Sequence, residues 1–264
     1  MVSTAVAALF WSKRILSGFR IASAARAWRV TKKANCRMPN NTRSDLRDIA
    51  FWAHALSEEE ADRARRGMTE RTFPAGGYIC HRGDKLDHWT GVISGLVKIG
   101  AISASGKAIT FAGIGTGGWL GEGSVLKDEP RKYDLVALRT TRLAMLNRPT
   151  FMWLFDNSVG FNKFLVTQLN ERMGQFIATI EHDRLHDPTA RVARNIAWLL
   201  NPVLYPGQGD HIEIRQEELA LLAGVSRQIV GRALKVLEDQ HLLRGERGGL
   251  TVLDRAKLAI YEGD

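Results

Sequence analysis

The chain has 264 residues, 45% hydrophobic and 25% charged, enough apolar material for more than one core and too much for a disordered polymer. Its net charge of +9 does not mark the whole chain as basic: residues 1–37 hold Lys13, Arg14, Arg20, Arg26, Arg29, Lys32, Lys33 and Arg37 and no acid, leaving 29 basic against 28 acidic residues beyond them, so any case for DNA must come from local clustering. The two cysteines, Cys36 and Cys80, are too few for a disulfide framework, match no zinc spacing and make an iron–sulfur cluster unexpected; a reducing cytoplasm is the natural setting.

At the N-terminus the apolar run Ala5–Trp11 is broken by Lys13-Arg14 and is far too short to span a bilayer, so no membrane span is expected. Residues 1–37, rich in Arg, Ala and Ser, have the composition of a mitochondrial transit peptide. Met38 followed by Pro39-Asn40-Asn41-Thr42 looks like an ordinary start, and the segment before it is read as a disordered tail or an over-extended start.

Ser57-Glu58-Glu59-Glu60 has the form of a capped helix start and predicts a short helix over Ser57–Met68. Between Gly76 and Gly123 lie 13 of the 25 glycines, separating apolar segments at Gly91–Ile99 and Ala108–Ala112; further segments follow at Leu135–Leu138 and Arg142–Leu146. Short strands with glycine turns predict an antiparallel sandwich or barrel. The stretch Gly113–Gly123 is glycine-rich but lacks the lysine of a phosphate loop.

From Ser158 to about Leu185 the period changes. Phe161, Leu165, Leu169, Met173, Phe176 and Ile180 recur every three or four residues, with Lys163, Glu171, Arg172, Glu181 and Asp183 off the stripe. This predicts one long helix, with the narrow stripe of a coiled-coil seam. On periodicity alone a core helix packed on the sandwich is the stronger reading. Asp187-Pro188 then forces a break, since Asp can cap and proline is tolerated at a helix's first position. A new helix is predicted over Thr189–Leu200, and Asn201-Pro202 through Gly209 is a turn-rich connection.

Gln216–Ala223 reads as a short helix, Gly224 as a left-handed turn residue, Ser226 as an N-cap and Arg227–Gln240 as a second helix. That is helix-turn-helix grammar. Leu242–Val252, with Gly245 and Gly248-Gly249, reads as a two-stranded wing. The second helix presents Arg227, Gln228, Arg232 and Lys235 near its start. Arginine can fork onto guanine, glutamine suits adenine, and Ser226 at the helix start suits a phosphate. Any one of these residues could be merely solvated; the whole set behind a helix-turn-helix core points to DNA.

Gln216-Glu217-Glu218-Leu219-Ala220, Gly224-Val225-Ser226-Arg227-Gln228 and Arg232-Ala233-Leu234-Lys235-Val236-Leu237-Glu238 resemble the C-terminal domain of the Crp/Fnr family. Gly121-Glu122 followed by Arg131-Lys132-Tyr133 stands where that family has its cyclic-nucleotide phosphate cassette. The resemblance covers roughly Phe51–Leu253 and implies an α+β protein: an N-terminal β jelly roll (38–157), a long dimerisation helix (158–187) and a C-terminal winged helix-turn-helix (188–264). It implies a transcription regulator acting as a homodimer on palindromic double-stranded DNA, with RNA polymerase as protein partner. It makes Leu165, Leu169, Met173, Phe176 and Ile180 the dimer seam and places an effector pocket at Glu122, Arg131, Tyr133 and Phe176; Arg215 departs from the family, replacing its usual Ser or Thr at the start of the first motif helix, which loses a cap and adds a phosphate contact to the expected DNA set.

The sequence departs from the cyclic-AMP-responsive pattern. Counted from Glu122, the Arg-Ser pair that holds the cyclic phosphate is Lys132 and Tyr133 here, and Arg131 takes the arginine's place only after a one-residue shift. Counted back from Asp187, the Thr-Ser pair that meets the adenine is Phe176 and Ile177. Unpaired buried ligand groups cost about 1–3 kcal/mol each, so cyclic AMP is not the expected effector; a shifted cassette that still binds it is the alternative. Haem sensing has only the lone candidates His81, His88 and Cys80. A regulatory module on an enzyme or channel would lack the motif at Gln216–Glu238, and no acid–base pair, nucleophile elbow or phosphate loop points to an enzyme.

Overall fold

The computed structural model describes residues 45–103, 106, 108–184 and 187–263, of which 182–184 by their backbone alone; the expectations for residues 1–37 and for Cys36 lie outside these. A short helix α1 (Leu46–Ile49), a 3-10 turn (Phe51–Ala55) and α2 (Glu58–Arg66) lead in. Ser57 caps α2 with a full capping box, its hydroxyl accepting from Glu60 N–H while Glu60 accepts from Ser57 N–H. The helix ends two residues earlier than predicted because Met68 already opens a strand.

Strands β1 (Met68–Phe73), β2 (Tyr78–Cys80), β3 (His88–Ser94), β4 (Val97–Ile102), β5 (Ala108–Ile114), β6 (Trp119–Leu120), β7 (Asp134–Ala137) and β8 (Thr141–Asn147) form two four-stranded antiparallel sheets, ordered β1-β8-β3-β6 and β2-β7-β4-β5. The segment predicted as one strand over Gly91–Ile99 is two, folded back at Gly95 with φ +106. A six-residue helix, α3 (Glu122–Lys127), lies between β6 and β7. Asn147 caps α4 (Arg148–Asn157), a helix that sequence reading missed, through Thr150 N–H at 2.9 Å.

The long helix α5 (Val159–Arg184) follows, and α6 (Pro188–Leu199) begins where the Asp-Pro break requires, capped by Asp187 through Thr189 N–H at 2.7 Å. One core cluster joins Trp52, Trp89, Trp119 and Phe151 to Phe161 and Leu165 of α5, so the first turns of that helix pack on their own sandwich. The C-terminal part comprises β9 (His211–Ile212), α7 (Gln216–Ala223), α8 (Arg227–Asp239), the wing strands β10 (Leu243–Glu246) and β11 (Gly249–Val252), and α9 (Arg255–Ala259). The wing sheet has three strands, β10-β11-β9, where two were expected.

Candidate nucleic-acid interface and ligand cavity

The helix-turn-helix is built outward from its turn. Gly224 ends α7 at φ +62 and ψ +33, a left-handed conformation that a Cβ disfavours, and Val225 N–H donates to Ala220 O at 3.1 Å. Ser226 caps α8, its hydroxyl accepting from Ile229 N–H at 3.3 Å. Leu219, Ala223, Val230, Ala233 and Leu237 are buried in one cluster with Val192 and Ile196 of α6. With that face of α8 committed inward, the polar residues take the other: Arg227, Gln228, Arg232 and Lys235 are all exposed.

Arg227 Nε lies 2.9 Å from Glu217 Oε1, both side chains being more than half exposed, and such pairs hold weakly. Arg215, which has no acceptor to cap with, stands at the N-cap of α7, and its N–H donates to Glu218 Oε2 at 2.8 Å. Sequence reading passed over Arg244 and Arg247, which the wing strand and its turn at Gly248 (φ +86) present as exposed cations beside α8. Two arginines just before the Gly248-Gly249 pair were the signal. A groove of about 530 Å³ runs between α8 and the wing, lined by Arg215, Lys235 and Arg247 but also by Glu238 and Glu246.

A second concavity, about 1080 Å³, lies among β5, α3, α5 and α7. Glu122, Tyr133 and Phe176 line it, together with Lys132, Arg172, Phe111 and Leu221. Arg131 does not, which corrects its expected place in the pocket. Its backbone is pinned to the loop before β3, with Arg131 N–H on Asp84 O and Gly83 N–H on Arg131 O. Its side chain is 1% exposed, turned inward against Gly121, and Nη2 donates to His88 O at 2.8 Å. The next residue faces outward, and Lys132 Nζ sits 3.1 Å from Glu129 Oε2. The unshifted spacing from Glu122 thus matches the residues that reach the cavity.

Arg172 was expected off the stripe, among the charges of α5. It is also buried, at 8% exposure, with Nη2 donating to Trp119 O at 3.0 Å and Nη1 without a partner. It points at the sandwich because α5 lies on it. Glu122 Oε2 is likewise buried without a partner. Burial raises the phenols of Tyr133 and Tyr205 above their usual range, so both are neutral at physiological pH. The Cys80 thiol is pushed up to about 11 by burial, and burial holds the His88 imidazole below its ordinary value. Among the described residues no three His, Cys, Asp or Glu side chains come together as a metal site.

The expected seam divides. Leu165 is 3% exposed and belongs to the sandwich core, a correction to its assignment at a subunit interface. Leu169, Met173, Phe176 and Ile180 are 41–57% exposed, joined by Val166 and Ile177.

Residues 70–158 match the family model of the cyclic nucleotide-binding domain, and residues 190–261 that of the Crp-like helix-turn-helix domain. The chain is 32% identical over 205 residues to the cyclic AMP receptor protein of Thermus thermophilus, covering 78% of this chain and 93% of that one. It is 26% identical over 175 residues to the cAMP-activated global transcriptional regulator CRP of Haemophilus influenzae, covering 65% and 78%. Among solved structures it resembles FixK2 from Bradyrhizobium japonicum with a TM-score of 0.60 at 16% identity, over 75% of this chain and 98% of that one. That last likeness concerns the fold.

Proposed function

The chain belongs to the Crp/Fnr family of transcription regulators, and from that premise we propose that it reads a palindromic DNA site as a homodimer, through α8, and that cyclic AMP is not its effector. The observation that carries this is the division of α8: one face sealed into the domain core, the other presenting Arg227, Gln228, Arg232 and Lys235 to solvent. Base edges are read from a helix start seated in the major groove, with Ser226 and Arg215 on the phosphates. Arg244 and Arg247 extend the phosphate contacts onto the wing.

A palindrome calls for two copies related by a twofold axis. The apolar row Leu169, Met173, Phe176 and Ile180 supports that assembly, because an exposed stripe at helical spacing is a buried face awaiting its partner. The protein works in the cytoplasm, with RNA polymerase as its protein partner.

Cyclic AMP is disfavoured by the chemistry around the cavity. Lys132 is paired with Glu129, Arg131 is turned away, and Phe176 and Ile177 offer no hydroxyl to a base. A second reading, a cyclic-AMP-responsive regulator, is favoured by Arg172 and Glu122, which line the cavity and each carry a buried polar atom without a partner. Selection of bound DNA from a random pool, with and without cyclic AMP, separates the two. A twofold-symmetric site recovered equally in both arms is the expected result; enrichment only with the nucleotide establishes the second reading, and an asymmetric site or none overturns the first.

A further inference from the structure

The glycine run at 113–123 carries no phosphate-loop lysine, and the proposed function gives it no role. Four of its glycines lie against the residues that follow the Asp187-Pro188 break. A Cβ added at Gly113 would stand 2.6 Å from Leu199 Cδ2, at Gly115 2.9 Å from Gln208 Oε1, at Gly117 2.7 Å from Gly207 N, and at Gly118 2.7 Å from Tyr205 Cδ1. Only Gly117, with φ +86, needs glycine for its own backbone. At Gly113 and Gly115 the absent side chain answers to packing against the DNA-binding part. At Gly118 it answers to Tyr205 together with Ile114, whose Cγ2 would be 2.8 Å away.

The segment received there is the connection between α6 and β9. Asn201 Oδ1 accepts from Val203 and Leu204 N–H, both at 2.9 Å, and turns the chain inward, while Asn201 Nδ2 donates to Glu171 of α5 at 2.7 Å. Leu204 and Tyr205, 0% and 1% exposed, enter the core of the sandwich beside Val92, Ile114 and Leu120. The Tyr205 hydroxyl donates to Gly113 O at 2.9 Å. A separate tie crosses nearby: Arg139, in the turn between β7 and β8, donates Nη2 to Glu218 of α7 at 3.0 Å, the two side chains being 19% and 13% exposed.

We infer that the glycine run is a docking track for the chain's own DNA-binding domain, that Leu204-Tyr205 is the plug it receives, and that the domain stays seated until the plug is withdrawn. The Asp187-Pro188 break is then not a free pivot. The plug follows α6 directly, so any rotation of α6 about its start pulls Tyr205 out of a packed core and breaks its buried hydrogen bond; interiors packed this closely switch between discrete arrangements and do not bend. The regulatory consequence rests on the DNA-binding reading above, but the contact can be measured without DNA.

The test uses the full chain with Cys36→Ser and spin labels on Arg82→Cys and Asp239→Cys, two exposed positions on either side of the contact; Cys80 is buried and stays unlabelled. Labelled chain is diluted with excess unlabelled chain so that one protomer is read. One narrow distance is expected, unchanged in Gly115→Ala, where only the tip of Gln208 must swing aside. Gly118→Ala, which meets the ring of Tyr205, is expected to give a broad distribution or a second, longer distance. A broad distribution in the parent, or a narrow one in folded Gly118→Ala, overturns the inference. Should Gly118→Ala fail to fold, Tyr205→Phe with Arg139→Gln removes the ties to Gly113 and Glu218 without adding bulk, leaving that of Asn201 to Glu171, and the same criteria decide. Operator affinity is not read, so a wrong assignment of α8 leaves this result standing.

Discussion

The two halves of α5 carry the same apolar period and meet different fates. Phe161 and Leu165 are sealed against Trp52 and Trp89 of their own sandwich, while Leu169, Met173, Phe176 and Ile180, one to four turns further on, stand 41–57% exposed. Periodicity specifies which side of a helix is apolar; it does not say what covers that side. The α8 helix repeats the lesson in polar form, its inner face satisfied within the chain and its outer face awaiting a partner outside it.

The sharpest way to break the comparison is to charge the exposed half. Leu169→Asp with Phe176→Asp puts like charges into the proposed symmetric seam, where buried unpaired carboxylates are strongly unfavourable. Sedimentation should report a folded monomer, and operator affinity should fall by about 10²–10⁴ as the second half-site is lost. A dimer that survives the double change means that α5 is not the interface.

The buried half should respond in the opposite manner. Leu165→Ala removes core packing and should cost about 2–5 kcal/mol in chemical denaturation, with the dimer dissociation constant measured below the unfolding transition unchanged. A weakened dimer with intact folding would return Leu165 to the seam.

How much of this was legible depended on whether the signal was local. The Ser57 capping box, the Asp187-Pro188 break, the Gly224 turn and the Ser226 cap are each set by residues within a few positions of one another, and local rules suffice for them. The split of Gly91–Ile99 at Gly95 was also local and was missed, because Leu96 and Val97 sustain an apolar run across the turn. The cavity was legible only in part. Glu122, Tyr133 and Phe176 were placed by spacing, but which of Arg131 and Lys132 reaches the cavity depends on backbone bonds to Asp84 and Gly83, nearly fifty positions away. The period sets Arg172 off the apolar stripe, and nothing nearby in sequence shows that Trp119 O waits for it. The glycine run is matched by Tyr205, some ninety residues on, which no local pattern links to it.

On the outer face of α8 the expected effects are smaller. Arg227→Ala and Arg232→Ala should each cost about 1–3 kcal/mol on the selected site and relax the preference at one position of each half-site. Binding to competing sequences should change little. A uniform loss across all sequences would assign both side chains to phosphates, and the comparison between the faces of α8 would then concern charge alone.

The smallest effect probes a residue caught between the two conditions. Arg227 is destined for DNA in this reading, yet in the free protein it is held by Glu217 at 2.9 Å. Freeing it must be part of binding. An exposed pair of this kind contributes about 0.2–1 kcal/mol, so Glu217→Gln should tighten operator binding by up to roughly fivefold. The gain includes relief of repulsion between the Glu217 carboxylate and the phosphates, and screening should shrink it as salt rises. Fluorescence anisotropy at two salt concentrations, with Glu217→Gln compared in the parent and in Arg227→Ala, separates the parts. The share that vanishes in Arg227→Ala belongs to the ion pair, and the share that persists is repulsion from the DNA. Unchanged or weaker binding by Glu217→Gln in the parent would mean that Arg227 stays on the protein when DNA is bound, and that the start of α8 does not enter the groove.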